Sequence, residues 1–130
     1  MTFVDTSAWF ARFVPSDPDH ERVKAWFNAN DRRLVTSDYC VDETLTLLLV
    51  RGHQHRVIHA GDVLFNESLA SLCFLTPPQI QRSWILFQQR MTSGWSFTDC
   101  TSKILIDDLG ITTAVALDDH FRQFGVDILP

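Results

Sequence analysis

The chain has 130 residues, 45% of them hydrophobic, with ten Phe, four Trp and a formal net charge of −5. That length suits one domain, expected over residues 1–130, with a single sizeable core. No apolar run reaches the roughly 18 residues of a membrane span, and the negative charge argues against a general nucleic-acid binder unless bound cations neutralise some of the acids.

Met1 leads at once into a strand-like apolar run, Met1 to Val4, which leaves no room for a signal peptide, so a cytoplasmic protein is expected. The Asp5-Thr6-Ser7 turn then opens a helix through Trp9, Phe10 and Phe13 that Pro15 ends. Asp17-Pro18 has the form of an N-cap followed by proline at the first helical position, for a second helix carrying Val23, Trp26 and Phe27 on one face. Leu34-Val35-Thr36 reads as the second strand, and a helix from Ser37-Asp38 to the Gly52 stop is apolar nearly all round in its second half, which predicts burial there.

A helix from Val57 to about Asn66 precedes a third strand over Leu72 to Leu75. Thr76-Pro77-Pro78 caps a long amphipathic helix through Ile80, Trp84, Phe87 and Met91. Gly94 to Phe97 is a loop, Ser96 and Asp99 have capping-box spacing, and the helix they open stops at Gly110. Ile111 to Leu117 reads as a fourth strand, Asp118 to Phe124 as a short helix and Val126 to Leu129 as an edge strand. Such alternation predicts an α/β fold with a parallel sheet of four to five strands, helices on both faces and ligands at the carboxyl ends of the strands. Cys40, Cys73 and Cys100 are odd in number and widely spaced, which argues against a disulfide framework or structural zinc.

In that fold Asp5 follows strand one, Asp118 follows strand four, and Glu43 and Asp99 lie on early turns of neighbouring helices, so all four reach one mouth of the sheet. Like charges gathered this way are tolerable only with cations between them, and hard oxygen ligands suit Mg²⁺ or Mn²⁺. Each acid also has a plainer reading. Asp99 serves equally as the acidic member of a capping box, and Asp118 as a cap with Asp119 a solvated neighbour. Asp5, directly after a buried strand, and Glu43, in an apolar stretch, are harder to place without a partner.

The runs F-V-D-T-S-A-W, V-T-S-D-Y-C-V-D-E-T-L-T-L-L, W-S-F-T-D-C-T-S and A-L-D-D-H-F-R-Q-F-G, spread over essentially the whole chain, resemble a PIN domain. The likeness is strongest to the small VapC-type ribonuclease toxins and their stand-alone relatives. It implies that Asp5, Glu43, Asp99 and Asp118 are the four acids of a Mg²⁺ site, with Asp5 and Asp99 its principal ligands. Thr6, Ser7 and Thr98 match the polar residues supporting them. Ala116 stands where the family often has Thr or Ser, which leaves room for Asp119 to share the role of Asp118.

The activity so implied is endonucleolytic cleavage of RNA, with a homodimer and a cognate antitoxin as expected partners. Arg12 and Arg51 are candidate RNA contacts, Arg51 opening the basic stretch of His53, His55 and Arg56. Most aromatics fall at helical spacing and read as core or dimer interface; His20 and His59 read as ordinary helix residues, and His120, beside Asp118 and Asp119, as a surface or capping residue near the site. A receiver domain or a haloacid-dehalogenase-like phosphatase fits poorly, because Asp5 stands without a second acid beside it. The alternative from another class is a PIN-fold binding or assembly module without nuclease activity.

Overall fold

Three-residue and four-residue apolar runs too short to be helices are separated by helical stretches, and in the computed structural model, which describes residues 1–130, they pair into one parallel sheet. In chain order the elements are β1 (Thr2–Val4), α1 (Thr6–Phe13), α2 (His20–Ala29), β2 (Leu34–Ser37), α3 (Asp38–Val50), α4 (Gln54–Phe65) and β3 (Ser71–Cys73). Then come α5 (Pro77–Arg90), a 3₁₀ turn (Met91–Ser93), α6 (Phe97–Leu109), β4 (Thr113–Val115), a second 3₁₀ turn (Asp119–Gln123) and β5 (Asp127–Leu129). The strand order is β3-β2-β1-β4-β5, all parallel.

Period-two alternation along the central strands divides the interior into two cores. Val4, Leu34 and Val115 face one side, packing with Trp9, Phe13, Val41, Leu48 and Leu64 from α1, α3 and α4. Phe3, Val35 and Ala114 face the other, packing with Cys100, Leu105 and Ile106 of α6 and with Phe121 and Phe124. A buried polar chain locks α1 to the sheet: the Trp9 indole N–H donates to Thr36 Oγ1 at 3.0 Å, and the Thr36 hydroxyl donates to the Val4 carbonyl at 2.9 Å. The residue that follows Val4 is thereby held against a fixed frame.

Several boundaries differ from expectation, each for a local reason. Helix α2 starts at His20 with Asp19 as N-cap, not at Pro18, because Asp17 Oδ1 accepts the Asp19 N–H at 2.8 Å and closes a turn of its own. His20 is buried, its Nδ1–H donating to the Ala11 carbonyl at 2.7 Å, so it ties α2 to α1 rather than behaving as an ordinary helix residue. Helix α4 begins at Gln54, ahead of Val57.

Strand β3 is Ser71–Cys73, since the Leu75 N–H is taken by Asp38 Oδ1 at 3.1 Å. Strand β4 shrinks to Thr113–Val115 because both of its flanks bond elsewhere: the Ile111 N–H goes to the Ile106 carbonyl and the Leu117 N–H to Ser7 Oγ. The second half of α3 is not buried throughout; Leu48 is fully covered, but Leu49 and Val50 are 50% and 68% exposed. The helix is covered where it meets α1 and α4 and open on its remaining side.

Candidate metal centre

The chain leaves β1 toward β2 on one side, while β4 lies on the other, so the carboxyl ends of β1 and β4 flank a switch point in the sheet. Asp5 sits there. Its backbone N–H extends the ladder to the Val115 carbonyl at 3.0 Å, and its extended conformation makes it the N-cap of α1. Asp5 Oδ2 accepts from the Ser7 N–H at 3.0 Å and from the Ser7 hydroxyl at 2.5 Å. Ser7 Oγ in turn accepts the Leu117 N–H at 2.9 Å, so one serine binds the loop after β1 to the loop after β4.

That second loop carries Asp118, whose Oδ1 accepts the His120 N–H at 2.9 Å and caps the 3₁₀ turn. Asp99 enters from α6, where a reciprocal capping box with Ser96 fixes it: the Ser96 N–H donates to Asp99 Oδ2 at 2.8 Å and the Asp99 N–H to Ser96 Oγ at 2.9 Å. The cap reading and the site reading of Asp99 and Asp118 thus hold together, because capping leaves each with a second oxygen that takes no protein hydrogen bond. Glu43, half-buried on α3, lines the same cavity of about 480 Å³ as Asp5, Asp99 and Asp118.

His120 joins them. Its Nδ1 lies 2.9 Å from Asp99 Oδ2 and 3.2 Å from Asp118 Oδ1, and because a carboxylate only accepts, Nδ1 carries the proton. Asp99, Asp118 and His120 offer ligand atoms within 4.8 Å of one another, a grouping able to hold a metal ion; Asp5 and Glu43 line the cavity outside that trio.

No lysine or arginine pairs with Asp5, Glu43, Asp99 or Asp118. Asp5 is 4% exposed, and burial, opposed by the Ser7 hydrogen bonds and reinforced by the charges of Asp99 and Glu43, pushes its carboxyl up to about 7. Burial also raises Glu43, against the lowering effect of the Thr98 and Thr6 hydroxyls and with the charges of Asp99 and Asp118 adding to the rise. Carboxylates so placed lack a compensating charge, and their free oxygens are hard donors, so this set fits a small divalent cation.

The structure brings Thr6, Ser7 and Thr98 to the acids: Thr6 and Ser7 line the cavity, and Thr98 faces Glu43. Asp119 does not join them. It is exposed, pairs with Arg122 at 3.3 Å and borders a different depression. Arg51 reaches the acidic cavity with its guanidinium 5.1 Å from the Phe10 ring, whereas Arg12 lines another cavity altogether. Trp95 is buried against Phe124 beneath its loop. Sequence reasoning missed Asp17 and Asp19 as lining residues, and it placed His120 near the site without its contact to Asp99. The Asp118-Asp119-His120 run was the available signal for His120, but its contact with Asp99 spans 21 residues.

No protein-family model matches the chain. It is 29% identical over 131 residues to the 23S rRNA-specific endonuclease VapC20 of Mycobacterium tuberculosis, in strains CDC 1551 and H37Rv, covering 100% of this chain and 99% of the relative. The crystal structure of Mycobacterium tuberculosis VapC20, described as a sarcin-ricin loop cleaving toxin, superposes with a TM-score of 0.89 at 25% identity, over 97% of this chain and 96% of the other.

Proposed function

We propose that the chain is a PIN-domain protein of the VapC type and a divalent-metal-dependent endoribonuclease, the toxin of a type II toxin-antitoxin pair. One observation carries the reading: carboxylates from four separate segments line one cavity at the carboxyl ends of the strands with no lysine or arginine paired to them. The similarity to an RNA-specific endonuclease over the full chain supports RNA as the substrate class.

In this reading Asp5 and Asp99 hold the first cation, and Glu43 and Asp118 either complete a second position or orient the attacking water. Mg²⁺ is the proposed ion, with Mn²⁺ an effective substitute. The bound cation supplies charge neutralisation of the phosphate oxygens, activation of water and stabilisation of the departing oxygen. The protein residues set the geometry. Ser7 holds Asp5 through two hydrogen bonds and simultaneously anchors the Leu117 backbone next to Asp118. Ser96 aims Asp99 by the capping box, and His120 keeps Asp99 and Asp118 together across the mouth. Thr6 and Thr98 steady Glu43, and Arg51 is the one arginine lining the cavity, placed to meet a substrate phosphate.

A homodimer and an antitoxin that covers the acidic mouth are the proposed partners, and the half-exposed Trp84, Ile85 and Met91 give the chain apolar surface for an assembly. No helix is long and apolar enough to cross a membrane. The cytoplasm is the proposed location, in keeping with three free cysteines and an RNA substrate. The test is cleavage of a fluorescent structured RNA in Mg²⁺. The native chain is expected to cut it and to stop on chelation, and Asp5→Asn to lose at least a hundredfold in rate with an unchanged circular-dichroism spectrum. RNA bound but never cut by the native chain would contradict the reading.

A further inference from the structure

Far from the acids, at the amino ends of β2 and β3, a second cavity of about 410 Å³ carries the opposite charge. Arg12 reaches it from the last turn of α1, Asn28 from the last turn of α2, Asn30, Arg32 and Arg33 from the loop entering β2, and Ser71 from the start of β3. None of the three arginines has a carboxylate partner, although acids outnumber bases in the chain by sixteen to eleven. Glu67 is the single acid in the lining, and its Oε1 is already committed to the Leu72 N–H at 2.7 Å.

Arg12 Nε is the one buried side-chain nitrogen or oxygen in the protein without a hydrogen-bond partner, and its guanidinium lies 6.0 Å from the Phe27 ring centroid. A buried charged donor left open is costly, and the usual remedy is an acceptor from water or a ligand. The other arginines are held at the rim. Arg33 donates through Nε and Nη2 to Ser71 Oγ at 3.4 and 3.3 Å, long bonds easily exchanged for a better acceptor, and Asn30 fixes the loop by donating to the Arg32 carbonyl at 2.8 Å. Glu67 itself has a left-handed backbone, φ 59°, a strained conformation for this residue type at the edge of the cavity.

We infer that this cavity is a phosphate-binding site that anchors the backbone of a structured RNA at the end of the sheet opposite the acids. Guanidinium groups with amide and hydroxyl neighbours are the usual contacts to phosphate and sugar, positioning the nucleic acid without reading its sequence. A groove for an acidic protein segment would instead centre on apolar anchors, and this lining is mostly charged, amide and hydroxyl side chains. The two rims give the chain a division of labour. Its acidic end is repulsive to RNA until cations bind, and its arginine end is attractive throughout. The inference rests on RNA being the substrate, as proposed above.

The experiment uses the Asp5→Asn chain with EDTA, so that binding is read without cleavage, and measures affinity for a long structured RNA against salt concentration by fluorescence anisotropy. Arg32 and Arg33 are exposed, so the double variant Arg32→Gln, Arg33→Gln leaves the core intact; Lys24→Gln with Arg122→Gln is the charge-matched control outside the cavity. The expected result is a salt slope lower by roughly 1.5 in the double variant, at ~0.7–0.9 for each phosphate no longer neutralised, with about tenfold weaker binding near physiological salt and a smaller effect of the control. Arg12→Lys, which keeps the charge but loses the fork, is expected to weaken binding severalfold at unchanged thermal stability. Equal losses in the double variant and the control, or no loss in either, would overturn the inference. So would retained RNA binding with lost binding of poly-glutamate, which would assign the cavity to an acidic protein. No RNA binding by the Asp5→Asn parent would instead count against the proposed function itself.

Discussion

Asp5 shows how a residue can oppose the stability of the fold that positions it. A carboxyl raised from about 3.8 to about 7 holds its proton in the folded chain while the unfolded chain has released it. Folding is then favoured by protonation, so the contribution is fully present below about pH 4 and is lost as pH rises to about 7. The loss is on the order of 4 kcal/mol across that window and is opposed when a cation binds. Metal-free Asp5→Asn should therefore melt several degrees above the native chain at pH 8 and differ little from it at pH 4, as measured by thermal denaturation in EDTA; adding Mg²⁺ should raise the native melting point and not that of the variant. Equal melting of the two chains at pH 8 would mean that Asp5 already has a compensating partner.

His120 acts on the same acids from outside. His120→Ala leaves Asp99 and Asp118 without their shared donor. The expected cost is about 10–100-fold in metal affinity or activity, as for other residues that orient ligands. Calorimetric titration with Mn²⁺ alongside the cleavage assay would show both falling, with partial rescue by His120→Asn through a retained N–H donor. At this scale Asp5, Asp99 and Asp118 were legible because each sits beside a turn signal in the sequence, and Glu43 because it is an acid in an apolar helical stretch. The bridging role of His120 was not, because its position beside Asp118 equally describes a cap and its partner Asp99 lies on another helix.

Helix caps serve two purposes here. The Thr76–Gln79 box starts α5 and the Ser96–Asp99 box starts α6, with the same reciprocal geometry. Removing either hydroxyl should cost about 1 kcal/mol of stability. Only Ser96→Ala should also lower cleavage, by roughly tenfold through a loosened Asp99, while Thr76→Ala should leave it unchanged; denaturation curves and initial rates measured on both variants decide this. Both boxes were readable because the i, i+3 spacing is local. The ends of β3 and β4 were not, since Asp38 and Ser7 capture backbone donors across long stretches of chain. The exposed end of α3 was misread for a related reason: its composition says apolar, but which neighbours cover it depends on where α1 and α4 pack.

Across the whole molecule, alternation of strand and helix was enough to predict a parallel sheet with its site at the carboxyl ends. The order β3-β2-β1-β4-β5, which makes β1 and β4 neighbours and so unites Asp5 with Asp118, is decided by packing of the two cores and has no local signature. The separation of charge is likewise a property of the fold, for Arg12 follows Asp5 by seven residues yet α1 carries it to the other rim. Net charge conceals both cavities.

The central claim is that the acidic cavity holds divalent cation. Anomalous diffraction from crystals soaked in Mn²⁺ tests it most directly. A peak bounded by the carboxylates of Asp5 and Asp99, and absent from Asp5→Asn crystals treated identically, is the predicted result. Manganese bound only elsewhere, or a cavity still free of anomalous density at saturating ion with both carboxylates ionised, would contradict the account.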